Sequence, residues 1–216
     1  MPLRPSTRTL GDLTQNVKRI FGDEAGVQLD NADITRWVND AQMEIVTSNK
    51  ALKARSSIST VAGQASYTFP DVKIQQIASL HYDNAPIPNV PFAQAEQQIL
   101  TQDPQQEEMG VPSFWYEWDG TLSLWPKPDA AAPLTLYYTA YPEEMSGSSD
   151  EFLGVPDKFY NSVVDYVLAK CYEMDEAFDA SQLAEQRFRT ALEAQMEDER
   201  QAAHMVYPVI QEVGFY

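Results

Sequence analysis

Thirty-two carboxylates, set against two histidines and one cysteine, define what chemistry this chain could attempt. Adjacent acids such as Glu143/Glu144 and Asp175/Glu176 could in principle serve a retaining or inverting glycosidase. That reaction needs two carboxyls held across a cleft, and in so acidic a chain such pairs arise by chance. No G-x-S-x-G elbow, P-loop, G-x-G-x-x-G, H-E-x-x-H or EF-hand spacing occurs. His81 falls in a predicted strand, where a surface or hydrogen-bonded histidine is the ordinary reading. His204, at the end of the last predicted helix, complements the negative end of that helix's dipole. Cys171 stands alone, so there is neither an intrachain disulfide nor a Cys/His zinc framework. Trp115, Trp118 and Trp125 could build a platform for sugars or bases, although packing on sheet faces is the plainer expectation. The expectation is therefore no catalytic residue, no cofactor and no metal.

The elements around these residues read as an assembly scaffold. Thr9 with Asp12 forms a capping box, Leu10, Leu13, Val17, Ile20 and Phe21 recur at helical spacing, and Gly22 is a stop. Asn31 is the expected cap of a second helix with an apolar face of Ile34, Trp37, Val38, Ala41 and Ile45. From Ser56 the period changes. Ile58 and Val61, the turn Ala62-Gly63-Gln64 and Tyr67-Thr68-Phe69 predict a hairpin closed by Pro70. A further extended run, Ile74 to Tyr82, turns at Asp83-Asn84 into an edge strand at Ile87 and Val90. A short helix is expected over Phe92 to Leu100 and a polar loop over 103–110. Phe114 to Trp118 and Leu122 to Trp125 flank Asp119-Gly120, a pair that tolerates positive φ at both centres of a tight hairpin. Leu134 to Tyr138 is read as the third strand of that small sheet.

Pro142 to Gly154 reads as a linker and Pro156 as the start of a long helix. Phe159, Val163, Tyr166, Val167, Lys170 and Met174 line one face of that helix, and Tyr160, Val164, Leu168, Cys171 and Tyr172 widen the apolar arc until it is broad enough to be covered on most sides. Asp179 or Ser181 is expected to cap the last helix, with Leu183, Ala184, Phe188, Ala191, Leu192 and Met196 facing inward and Glu185, Arg189, Glu193, Glu197, Asp198 and Glu199 outward. The predicted class is α+β: a bundle of N- and C-terminal helices (1–55 and 142–203) with an antiparallel β domain inserted at 56–141. Residues 204–216 form an apolar terminal arm, and ends this apolar are rarely left in solvent.

Composition supports a folded chain: 216 residues, 44% apolar and 22% charged. No window reaches the roughly 18 apolar residues that span a bilayer, and Met1-Pro2-Leu3-Arg4-Pro5 lacks the core of a secretory signal. The expectation is a protein of the cytosol, or of a particle formed there, without membrane contact. The net charge of −17 is uneven: residues 1–60 carry eight Lys/Arg against seven Asp/Glu, and 141–216 carry five against sixteen. Such acidity repels phosphate within about 8 Å and gains nothing from counterion release, so specific nucleic-acid binding is not expected.

Several stretches resemble the head-to-tail adaptor proteins of tailed phages (connector, tail tubular protein A-like). They are Tyr67-Thr68-Phe69-Pro70-Asp71, Gly110-Val111-Pro112-Ser113-Phe114, Gly120-Thr121-Leu122-Ser123-Leu124-Trp125-Pro126-Lys127-Pro128-Asp129, Leu134 to Tyr138 and Val155-Pro156-Asp157-Lys158-Phe159-Tyr160. The resemblance covers about residues 9–203, and the stretches follow one another in family order. The resemblance implies a virion structural protein assembled in the host cytoplasm as a homo-oligomeric ring, commonly a dodecamer, beneath the portal protein. It implies that the helical part faces portal and neighbouring subunits and that the β part meets a downstream tail or nozzle protein. DNA would pass through without specific binding. On this reading Phe159, Tyr160, Val164, Leu168 and Tyr172 are expected at a subunit interface, and Glu193, Glu197 and Glu199 on the channel. Tyr207, Pro208, Val209, Ile210, Val213, Phe215 and Tyr216 are expected in an arm against the portal. Two other readings compete with this one: a virion-associated carbohydrate-binding or glycan-cleaving protein, and an acidic DNA mimic.

Overall fold

The computed structural model describes residues 7–69, 72–100 and 109–204, with the backbone alone for 199–204. The architecture is α+β, with terminal helices and an inserted β region, and it divides into two compact units. One comprises the chain up to Ala51 together with the chain from Pro142. The other is Leu52–Tyr141, so the inserted unit begins four residues ahead of the expected boundary.

In the helical unit, α1 (Leu10–Phe21) carries the expected ends. The Thr9 hydroxyl accepts the Asp12 N–H while the Asp12 carboxylate accepts the Thr9 N–H, and Gly22 at φ 93° closes the helix. In α2 (Asn31–Asn49) the cap is Asp30, not Asn31. Asp30 has the extended backbone a cap requires, and its carboxylate accepts the Ala32 N–H. Asn31 instead accepts the ammonium of Lys18 at 2.7 Å. Pro156 precedes a single 3-10 turn, Asp157–Phe159, that leads into α4 (Tyr160–Met174). The last helix, α5 (Phe178–His204), starts before both proposed caps. Asp179 thus lies in its first turn, and Ser181 donates its hydroxyl to the Ala169 carbonyl of α4 at 2.9 Å. Helix α4 packs against α1, α2 and α5. Phe159, Phe188, Leu13, Ile34 and Ile45 are buried in this unit, and each contributes about 1.5–3 kcal/mol of burial.

The stretch read as a linker is a laced strap. Asn39 and Met145 exchange two hydrogen bonds, Asn39 Nδ2 to the Met145 carbonyl at 3.1 Å and the Met145 N–H to Asn39 Oδ1 at 2.9 Å. The Gly154 N–H donates to Gln42 Oε1. Leu10 and Gly11 donate to the Glu151 and Ser149 carbonyls. At Gly11 a Cβ would sit 2.7 Å from the Ser149 oxygen, so only glycine permits this approach. Met145, Leu153 and Val155 bury their side chains along the strap.

The β unit contains β1 (Lys53–Ser59), β2 (Ser66–Tyr67), β3 (Ile74–Tyr82), β4 (Ala85–Ile87), α3 (Phe92–Leu100), β5 (Met109–Gly110), β6 (Phe114–Trp118), β7 (Thr121–Trp125), β8 (Lys127–Pro128) and β9 (Pro133–Ala140). One antiparallel sheet has the order β1-β9-β3-β4 and a second β2-β7-β6, and β5 and β8 make a two-residue parallel pair. The hairpins at Asp83-Asn84 (φ 46° and 65°) and Asp119-Gly120 (φ 49° and 68°) form as the sequence predicts.

Two expected pairings do not form. The first is the hairpin between Ile58 and Phe69: the chain does turn at Gly63, but Ser66 and Tyr67 pair with β7, and β1 pairs with β9. Thr60, buried and bonded to the carbonyls of Ala130 and Ala132, diverts the chain between the sheets. The second is β9 as a partner of β7. It lies instead at the centre of the other sheet, with Leu134, Leu136 and Tyr138 buried there beside Leu80 and Tyr82.

Candidate assembly surfaces

The groups that carry chemistry are mostly committed to packing. Cys171 is fully buried, and desolvation pushes its thiol up to about 12, which leaves it protonated and unreactive at neutral pH. The His81 ring stands 4.8 Å from that of Tyr137 on the neighbouring strand. Among the described residues no three His, Cys, Asp or Glu cluster as a metal site would require, and no helix is long and apolar enough to cross a membrane. The tryptophans do not share a platform. Trp115 is buried with its indole N–H donated to the Ile87 carbonyl at 3.1 Å, whereas Trp118 is 62% exposed and stacks on Phe92 at 4.4 Å.

The expected interface residues divide. Phe159, Tyr160, Val164 and Leu168 are buried inside the subunit. The broad arc of α4 is broad because α1, α2 and α5 of the same chain cover it, so those four side chains offer no patch to a neighbour. Tyr172 is half-buried, its ring 5.5 Å from that of Phe21. Apolar surface lies instead where α4 turns into α5. Met174 and Phe178 flank Glu176 at φ 59°, and Phe178 is 66% exposed. Leu183, expected to face inward, is 50% exposed, because the buried stripe of α5 runs through Ala184, Phe188 and Leu192 at four-residue spacing. That stripe was readable in the sequence. Met174, expected on the covered face of α4, is 48% exposed at the end of that helix, and Phe178 carries no signal in the sequence, since apolar residues beside a helix turn look the same whether covered or not.

Glu193 and Glu197 are exposed and continue the ridge of Glu185 and Arg189, which pair at 2.5 Å, at four-residue steps along α5. Glu199 lies within the helix, but its side chain is outside the described residues. The Gln195 amide reaches the Lys158 carbonyl, just before α4 begins, at 3.4 Å. The last nine residues of α5 therefore run past the start of α4, about 14 Å of helix. The arm residues Tyr207, Pro208, Val209, Ile210, Val213, Phe215 and Tyr216 lie outside the described residues.

In the β unit a cleft of about 610 Å³ runs between β3 and the β6–β7 hairpin, lined by Phe69, Val72, Ile74, Ile77, Trp115 and Leu122 among others. Strand β4 pairs only with Leu80 to Tyr82, so among the described residues no strand covers the outer edge of β3 from Ile74 to Ser79. Register shifts on β3, between Ile74 and Gln76 and between Ile77 and Ser79, mark bulges at Gln75 and Ala78, both of which line the cleft. Gln75 Oε1 is buried without a hydrogen-bond partner among the described residues.

A family model described as SU10 adaptor protein matches residues 8–211, which takes in both the terminal helices and the inserted β unit. The chain belongs to the SU10 adaptor protein family. SU10 adaptor proteins are a family of phage head-to-tail adaptors, structural rather than enzymatic. The match extends through the overhanging end of α5 and into the terminal arm. No protein of curated function matches the chain.

Proposed function

We propose that this adaptor is one subunit of a ring, commonly a dodecamer in the proteins it resembles, that joins the portal to the tail at the virion's head–tail junction and lines the DNA channel. Membership of the adaptor family over residues 8–211 carries the reading. The ring needs a heterologous contact, one patch meeting a different patch on the next copy. Tyr172, with the exposed Met174 and Phe178 beside it, is our choice for one side of that contact, in place of the buried Phe159, Tyr160, Val164 and Leu168. Glu193, Glu197 and Glu199 are assigned to the lumen, where a carboxylate-lined wall denies DNA a place to adhere. The β unit is assigned to the downstream tail or nozzle protein, and the arm with Tyr207, Pro208, Val209, Ile210, Val213, Phe215 and Tyr216 to the portal.

The test is electron microscopy of purified portal mixed with this protein. An added ring beneath the portal is the expected image. Portal particles unchanged at saturating protein would refute the reading.

A further inference from the structure

One face of the β1-β9-β3-β4 sheet packs into the core through Leu80, Leu134, Leu136 and Tyr138, so the strand register sends the alternate residues to the other face. Those at 53, 55, 57 and 59 of β1, 135, 137 and 139 of β9, and 79 and 81 of β3 include two cations and no acid. In a chain of net charge −17 such a face is an exception. Its cations, Lys53 and Arg55, are exposed and have no ion-pair partner among the described residues. They stand about 7 Å apart along the strand. Ser57 and Thr135 share a hydrogen bond at 3.1 Å beside them, and the His81 ring lies 4.8 Å from that of Tyr137. Guarding the open edge of β1 would take charge of either sign. An acid-free face of cations, hydroxyls and rings suits a partner that is both acidic and apolar.

We infer that this partner is the α4–α5 turn of a second copy of the chain, which makes the sheet face the other side of the ring contact begun by Tyr172, Met174 and Phe178. Asp175, Glu176 and Asp179 are exposed at that turn. Glu173 is held by Lys170 at 2.9 Å, but these three acids have no cation partner among the described residues. Met174 and Phe178 stand out of the turn between them. Lys53 and Arg55 supply the counter-charges that the acids lack, and the Tyr137–His81 ridge offers rings to Phe178 and to the Met174 sulfur. Charge selects this pairing. Copies so acidic repel one another on most approaches, and they close where a locally positive patch meets a locally negative one. Face and turn are unlike patches on one chain, as a heterologous contact demands. The inference rests on the ring reading and names what the turn docks onto.

The test is charge reversal in the full chain, read as rings by native mass and by microscopy, free and mixed with portal. One variant carries Lys53→Glu with Arg55→Glu, the other Asp175→Lys with Glu176→Lys. All four positions are exposed and cations suit the end of α4, so thermal melts should stay close to the native one. Each variant alone should lose the ring. Their equimolar mixture should regain it, because an alternating ring sets opposite charges at every contact, and so should one chain carrying all four changes. Rescue in the fourfold chain but not in the mixture would place the two patches together within one chain and overturn the inference. If one variant fails and the other assembles, the failing patch belongs to the portal, and the inference falls. Both variants assembling like the native chain overturns it as well, and a DNA gel shift lost with Lys53→Glu and Arg55→Glu would then name phosphate as the occupant. Rings rescued by mixing that never dock on the portal would uphold the contact and sink the proposed function alone.

Discussion

Asp23 shows how one carboxylate holds the turn between the first two helices. It is buried, and its oxygens accept the N–H groups of Val27, Gln28 and Leu29 at 2.8, 3.0 and 2.8 Å. The Leu29 N–H foremost, then those of Val27 and Gln28 with Lys18 nearby, keeps the acid below its ordinary value, against the burial that works to raise it. Because the folded value is the lower one, the stabilisation is complete at neutral pH, and it drains away as pH falls from about the unfolded carboxylate value through the folded one. Thermal melts between pH 7 and pH 3 should show a steeper loss of Tm for the native chain than for Asp23→Asn, which lacks that titration. Equal slopes would mean that the turn does not depend on the charge.

At the scale of elements, α5 allows a direct comparison of two neighbouring positions. Phe188 is buried and meets the Tyr166 ring edge-on at 5.1 Å, while Leu183 stands half in solvent. Phe188→Ala should cost about 3–5 kcal/mol, and Leu183→Ala about 0.5 kcal/mol or less. Urea unfolding midpoints of the two variants measure both, and comparable costs would contradict the assigned face. The same comparison explains what was legible in the sequence. Capped, periodic α1 and the two positive-φ hairpins were readable because their signals are local: Thr9 with Asp12, Asp83-Asn84, Asp119-Gly120. The partner of β9 was not, since a β-branched and aromatic strand suits either sheet, and the choice was made by distant Thr60 and Leu80. The strap at 142–155 was read as a linker because Ser, Gly and Glu look solvated until Asn39 and Gln42 are seen bonded to it. Of the candidate surfaces, the acidic ridge of α5 was readable from its four-residue spacing. The cleft was not, because an open edge is a property of what fails to pair with β3.

For the whole molecule, charge and chain order matter more than any single contact. If the acids of α5 line the channel, Glu193→Lys with Glu197→Lys should leave assembly intact, both positions being exposed, and give DNA phosphates a foothold. DNA release from particles carrying this pair, followed with an intercalating dye, should slow, and more so at low salt. Unchanged release kinetics would remove these acids from the channel wall. The split helical unit also constrains how the polypeptide is made. Helices α1 and α2 leave the ribosome before the inserted Leu52–Tyr141, yet α4 and α5, which pack against the α2 that buries Ile34, Val38 and Ile45, lie on its far side in the chain. At translation speeds of about 5–20 residues per second, the nascent apolar faces wait roughly 5–20 s for that insertion to be synthesised. During that interval the newborn N-terminal pair is a natural client for whatever chaperone attends the tunnel exit.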